Sequence, residues 1–150
     1  MSVLLVGIGN TLRRDDGAGA AVAERFAGRT DCRVLVVHQL LPDHAEELAT
    51  CERAVFVDAA VDIDRVRFER LSPSLSAPSL GHTGDPAWLL ALCEALCGRS
   101  PEVWLVRIPA TDLGFGDGLS ADAGGAVEAA VRLLEERLAM WRGRGTYSRC

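Results

Sequence analysis

The sequence predicts an α/β fold: a single three-layer domain with a mostly parallel twisted sheet and helices on both faces. Three observations carry that expectation. Short apolar runs rich in β-branched residues, Val3 to Val6, Val34 to Val37, Ala54 to Val57 and Val103 to Ile108, recur along the chain. Most are continuous instead of alternating, as strands buried on both faces are. Helical segments with start and stop signals separate them, which favours parallel strands joined by helical crossovers. The length, 150 residues with 49% apolar side chains, is enough to bury about 70% of the unfolded surface in one core. No internal repeat or change of composition marks a second domain. The domain is expected over 1–141, and the stretch 142–150, which has no pattern, is expected to be a mobile tail.

The elements follow in order. The first strand ends in Gly7-Ile8-Gly9-Asn10, where glycines permit a sharp turn and close backbone approach. Asp15 and Asp16 then precede an Ala-rich helix from Gly17 to Phe26, where acids suit the unpaired N–H groups and the helix dipole. Arg33 to His38 reads as the second strand, broken by Pro42, with Asp43 as the expected cap of a short helix through Leu48. Ala54 to Val57 is the third strand, ending at Asp58. Val66 to Leu71 alternates and suits an edge strand or hairpin arm. Residues 72–85 form a long Ser/Pro/Gly-rich loop containing His82. Asp85-Pro86 opens a helix that Gly98 closes. After the strand Val103 to Ile108 comes a glycine-rich loop, Leu113 to Gly118. The last helix starts at Leu119 or Ser120 and carries Val127, Val131, Leu134 and Leu138 on one face.

Composition excludes several classes. A net charge of −5 argues against a nucleic-acid partner, which normally meets a basic face. No apolar stretch reaches the ~20 residues of a membrane span, and no signal-peptide pattern opens the chain, so a cytoplasmic protein is expected. The five cysteines, Cys32, Cys51, Cys93, Cys97 and Cys150, are scattered and odd in number, which speaks against a disulfide framework. Cys93 and Cys97 share a helical face, where two small buried apolar residues are the expected reading.

The Gly7-Ile8-Gly9 turn does not complete a dinucleotide fingerprint. Leu12 stands where a third small residue belongs, and His38-Gln39 stands where an acid should close the second strand. Three other polar residues fall at the carboxyl edge of the predicted sheet: Asp16 after strand one, Asp58 closing strand three, and His82 in the long loop. If strands one and three are neighbours, both carboxylates face one crevice. Two carboxylates and an imidazole form an oxygen–nitrogen donor set suited to Zn²⁺, Ni²⁺ or Mn²⁺. Taken singly, each has a simpler role, Asp16 as a cap, Asp58 as a turn former and His82 as a solvated loop residue. Asp15 is read as a cap or as orienting Asp16. His38 and His44 either line the crevice or hydrogen-bond a loop, and Asp43, Asp85 and Asp112 are caps or turn residues. No G-x-S-x-G and no H-E-x-x-H occurs.

The block Leu4 to Gly19, with its pattern G-x-G-N-x-L-x-x-D-(D/E)-x-x-G, resembles the opening of the [NiFe]-hydrogenase maturation endopeptidases. The similarity continues over roughly residues 3–140 through His38-Gln39-Leu40-Leu41-Pro42, Phe56-Val57-Asp58-Ala59, Leu80-Gly81-His82 and Ile108-Pro109-Ala110. The His38–Pro42, Leu80–His82 and Ile108–Ala110 blocks look most like the branch serving soluble, bidirectional NAD-linked hydrogenases. The resemblance implies a protease that removes a C-terminal extension from a hydrogenase large-subunit precursor once nickel is inserted. It also implies that Asp16, Asp58 and His82 are the metal-contacting residues. Some members carry Glu at the position of Asp16, so the shorter side chain here asks the metal or the backbone to come nearer. The implied metal is nickel, that of the precursor, with zinc or another divalent ion as a substitute in vitro, and the protease itself is expected to be a monomer. The loops Ser72 to Thr83 and Leu113 to Gly118 are candidate contacts for the folded substrate, expected to be flexible enough to adapt. Two other classes compete: a small nucleotide-binding module, and an assembly factor that binds nickel or the precursor without cutting.

Overall fold

The structure, a computed structural model, describes residues 2–75 and 85–145. Its strands are β1 (Val3–Ile8), β2 (Arg33–Val37), β3 (Arg53–Ala60), β4 (Arg67–Leu71) and β5 (Glu102–Pro109). Its helices are α1 (Ala18–Glu24), α2 (His44–Ala49), α3 (Pro86–Cys97) and α4 (Ala121–Gly145), with a single 3-10 turn at Arg14–Gly17 before α1. The sheet order is β2-β1-β3-β5-β4. All pairings are parallel except that of β4, which runs antiparallel on β5. The chain moves from β1 outward to β2 and then crosses back to β3 on the other side. Such a reversal opens a crevice at the carboxyl ends of the two central strands, the usual ligand site of an open α/β sheet.

Side-chain alternation along the buried strands builds two cores. Val3, Leu5, Val55, Val57, Val106 and Ile108 point to one face and meet α1, the turn after it and α4 through Val22, Phe26, Val127 and Leu134. Leu4, Val6, Ile8, Phe56 and Val103 point to the other face and meet α2 and α3 through Leu48, Leu89 and Leu90. The three-layer α/β fold predicted by the apolar runs is therefore present, with two helices on each face.

Several local expectations hold. Asp85 caps α3, its Oδ1 accepting from the Ala87 N–H at 2.9 Å with Pro86 in the first turn, and Gly98 closes it in the left-handed region at φ 70°. Others need correction. Asp43 does not cap α2, because its backbone is already helical; His44 Nδ1 instead accepts from the Leu41 N–H at 2.9 Å. Cys93 is buried but Cys97, in the last turn of α3, is exposed. The third strand runs through Asp58 to Ala60. The final helix continues beyond 141 to Gly145. Its apolar face extends one step further than Leu138, to buried Trp141, which packs on Trp104 with centroids 4.9 Å apart.

Candidate functional site

The loop after β1 doubles back on itself and is made by close backbone contact. Gly9, at φ 142°, leaves the Asp16 carbonyl so near that an added Cβ would lie 1.8 Å from its oxygen. A Cβ on Gly19 would lie 2.2 Å from the Val57 carbonyl oxygen and 2.5 Å from that of Ile8. Only glycine lets the start of α1 settle between the ends of β1 and β3. That seating carries the 3-10 turn, and with it Asp16, to the end of β3.

The two acids of this turn have different tasks, and neither caps α1. Asp15 is fully buried. Its Oδ2 accepts from the Thr111 N–H (2.9 Å), the Asp112 N–H (2.9 Å), the Ser120 hydroxyl (2.8 Å) and the Thr111 hydroxyl (3.2 Å), and its Oδ1 accepts from the Ser120 N–H (2.7 Å). Burial alone would raise its pKa. The Ser120, Asp112 and Thr111 backbone N–H groups and the Ser120 hydroxyl outweigh burial and hold the carboxyl well below the usual carboxylate range. Asp15 is thus an anion at the centre of a strut that ties the turn to the loop after β5. Thr111 was not singled out from sequence and Ser120 only as a possible helix start, since a contact across roughly a hundred residues leaves no local signal.

Asp16 stays at the surface of the crevice, where its Oδ2 accepts from the Asn10 N–H at 2.8 Å. Asp58 sits half-buried near the end of β3, its Oδ1 accepting from the Ala59 N–H at 2.9 Å. Burial pushes its pKa up to about 6; the Ala59 N–H opposes the rise, the charge of Asp16 adds to it, and Arg107 lowers it. The structure thus brings Asp16 and Asp58 within electrostatic reach of one another, as the neighbouring strands suggested. The other oxygen of each carboxylate makes no hydrogen bond among the described residues. His82 lies outside the described residues. Among the described residues, no cluster of three or more histidine, cysteine, aspartate or glutamate side chains is arranged to hold a metal.

Arg107 was missed by sequence reasoning. It pairs in register with Asp58 on β5 and lies on the same sheet face, and its guanidinium holds Asp62 at 2.7 Å. Together with Asp58, Pro86 and Leu105 these residues line a cleft of about 280 Å³. Strand alternation was the available signal, but it works only once the register is known. His44 is engaged with the Leu41 N–H, so it bonds a loop, and His38 is exposed just beyond β2. Asp112 is a turn former, its Oδ1 accepting from the Gly114 N–H at 2.9 Å.

The loop after β5 departs from expectation. Leu113 to Gly118 is clamped, not loose: Gly116 donates to the Leu12 carbonyl (2.9 Å) and accepts from the Arg14 N–H (3.2 Å), in a parallel bridge between Arg13 and Gly116.

No protein-family model and no curated protein sequence matches the chain. Solved structures do. A [NiFe] hydrogenase maturation protease HycI from Thermococcus kodakarensis KOD1 aligns at 22% identity over 92% of this chain and 92% of its own, with a TM-score of 0.72. The hydrogenase maturating endopeptidase HybD from E. coli aligns at 21% identity over 97% of this chain and 94% of its own, TM-score 0.73. A hydrogenase 2 maturation peptidase from Thaumarchaeota archaeon SCGC_AB-539-E09 aligns at 24%, 92% and 98%, TM-score 0.66. The chain therefore has the fold of the hydrogenase maturation proteases over nearly its full length. HycI and HybD structures match alike, so the likeness does not single out the NAD-linked branch. Among the described residues no helix is long and apolar enough to cross a membrane.

Proposed function

We propose that this chain is an endopeptidase that removes the C-terminal extension of a [NiFe]-hydrogenase large-subunit precursor after nickel insertion. The observation that carries the reading is the meeting of Asp16 and Asp58 at the carboxyl edge of a sheet whose fold is that of the maturation proteases. In this reading Asp16, Asp58 and His82 contact the metal, and the nickel belongs to the substrate. The donor set fits such an ion: each carboxylate keeps an oxygen outside the hydrogen bonds of the described residues. The Asp58 carboxylate is also disfavoured by burial and by Asp16, a penalty that a nearby cation relieves. A divalent ion contacted there would polarise a carbonyl or acidify a bound water. The residues themselves supply orientation and proton transfer. Asp16, whose second oxygen lies outside the hydrogen bonds of the described residues, is the proposed general base towards a water at the crevice. Within the class, the His38–Pro42, Leu80–His82 and Ile108–Ala110 blocks favour the branch serving soluble NAD-linked hydrogenases.

The test is intact-mass spectrometry of the large-subunit precursor from the same genome, incubated with this protein with and without nickel loading. Loss of one C-terminal fragment from the nickel-loaded form alone is the expected result. An unchanged mass in both forms, with a stable complex between the proteins, would replace the protease by a non-catalytic nickel-binding assembly factor.

A further inference from the structure

Exposed apolar side chains gather on the loops that leave the carboxyl edge of the sheet. Leu12 follows β1, Leu41 follows β2, Val61 follows β3 and Phe115 follows β5, and Phe115 is the most open of them at 87%. Phe115 sits on the clamped loop, whose anchors all lie beside the candidate site. Asp15 N–H donates to the Asp112 carbonyl at 2.9 Å, Arg13 Nε donates to the Leu113 carbonyl at 3.3 Å, and the Arg13 guanidinium stands 5.5 Å from the centroid of the Phe115 ring. The buried Asp15 carboxylate ties both flanks of the loop, Thr111 and Ser120, to the residue before Asp16. Leu12, 61% exposed, donates its N–H to the Asn10 side chain and gives its carbonyl to Gly116, so it is fixed beside the same ring's backbone.

A ring this exposed adds almost nothing to the core, and holding its loop in one place costs conformational entropy. An exposed, preset aromatic beside an arginine, on a loop tied to the turn that carries Asp16, is the form a binding anchor takes, because the ordering cost is met before the partner arrives. We infer that Leu12, Arg13 and Phe115 form a rigid ledge that seats an apolar side chain of the protein substrate beside the bond to be cut. The inference rests on the endopeptidase reading and names the contact through which that substrate is gripped. The occupant is the substrate and not a second copy of this chain, because the ledge is continuous with the turn that carries Asp16. Arg13 extends the ledge with a cation that complements an acidic or carbonyl-rich flank of the substrate.

The experiment uses the full chain and the nickel-loaded large-subunit precursor from the same genome. Rates of fragment release are measured against precursor concentration, and binding is measured by surface capture, for wild type, Phe115→Ala, Phe115→Leu and Met140→Ala. Met140 is an exposed apolar residue on α4 and serves as a comparison. The expected result for Phe115→Ala is a rise of about tenfold or more in half-saturating concentration and in dissociation constant. The rate at saturation should fall far less, and the urea midpoint should stay where it was. Phe115→Leu should recover part of the loss and Met140→Ala should show none. An unchanged half-saturation and dissociation constant for Phe115→Ala overturns the ledge while leaving the protease reading intact. A wild type that binds the precursor without cutting it overturns the protease reading, and the dissociation constants then still decide the ledge. A wild type that neither binds nor cuts overturns both.

Discussion

Replacing Asp58 by Asn should stabilise the folded chain at neutral pH, and the size of the gain follows from the site. Burial, chiefly, and the charge of Asp16 raise the Asp58 pKa from 3.8 to about 6. The folded state therefore holds this proton more tightly than the unfolded chain does. Below pH ~4 the group is protonated in both states and costs nothing. Between pH ~4 and ~6 the unfolded chain ionises freely while the folded one resists, so stability falls on this group's account and stays lower above pH 6. A shift of about two units corresponds to roughly 3 kcal/mol, an upper figure because the side chain is partly open to solvent. Asn keeps the shape and the acceptor for the Ala59 N–H but never ionises. Urea unfolding of wild type and Asp58→Asn at pH 4 and pH 8 is the assay. The variant should exceed wild type only slightly at pH 4, where the folded carboxyl is still protonated, and by about 2–3 kcal/mol at pH 8, roughly 5–10 °C in Tm. Because the two proteins are compared at one pH, acid effects elsewhere in the chain cancel. An equal difference at both pH values, or a less stable variant at pH 8, would refute the burial of a carboxylate beside Asp16.

Asp15 should behave in the opposite sense. Its pKa is depressed, so its contribution is complete above the unfolded carboxylate pKa and is lost as pH falls below ~4. Asp15→Asn turns an amide NH₂ towards at least one of the N–H donors that now face a carboxylate, and a loss of about 3 kcal/mol or more at pH 7 should appear as a lowered urea midpoint. Gly19→Ala must push α1 off the Val57 and Ile8 carbonyls; destabilisation of about 3 kcal/mol, or insoluble protein, is expected on expression and thermal melting. His82→Ala should unfold like wild type yet slow release of the precursor fragment by about a hundredfold. Release at the wild-type rate would remove His82 from the proposed metal contact.

The parts legible in the sequence were those set by local pattern. Continuous apolar runs marked β1, β3 and β5 because strands buried on both faces need no alternation, and Asp85-Pro86 with Gly98 bounded α3 because caps act within one turn. The two crevice acids were legible as strand-end residues, and their meeting required only that β1 and β3 be neighbours. What escaped was long-range. Asp15 looked like a cap because a cap is the local use of an acid before a helix. Its real partners, Thr111, Asp112 and Ser120, come from the other end of the chain. The same strut explains why a loop with glycines at 114, 116 and 118 is clamped where its composition suggested freedom. Arg107 escaped because facing Asp58 depends on the β3–β5 register. Cys97 escaped because helical spacing places two residues on one face without saying whether the helix's last turn is covered.

The joint action of Asp16 and Asp58 on a protein substrate is tested most directly by one comparison. Nickel-loaded large-subunit precursor is incubated with wild type, Asp16→Asn or Asp58→Asn, each first shown to be folded by its urea midpoint, and the products are weighed intact. The expected result is a single C-terminal fragment released by wild type and none by either variant, even though Asp58→Asn is the more stable protein at pH 8. Release of that fragment by either variant at the wild-type rate would contradict it.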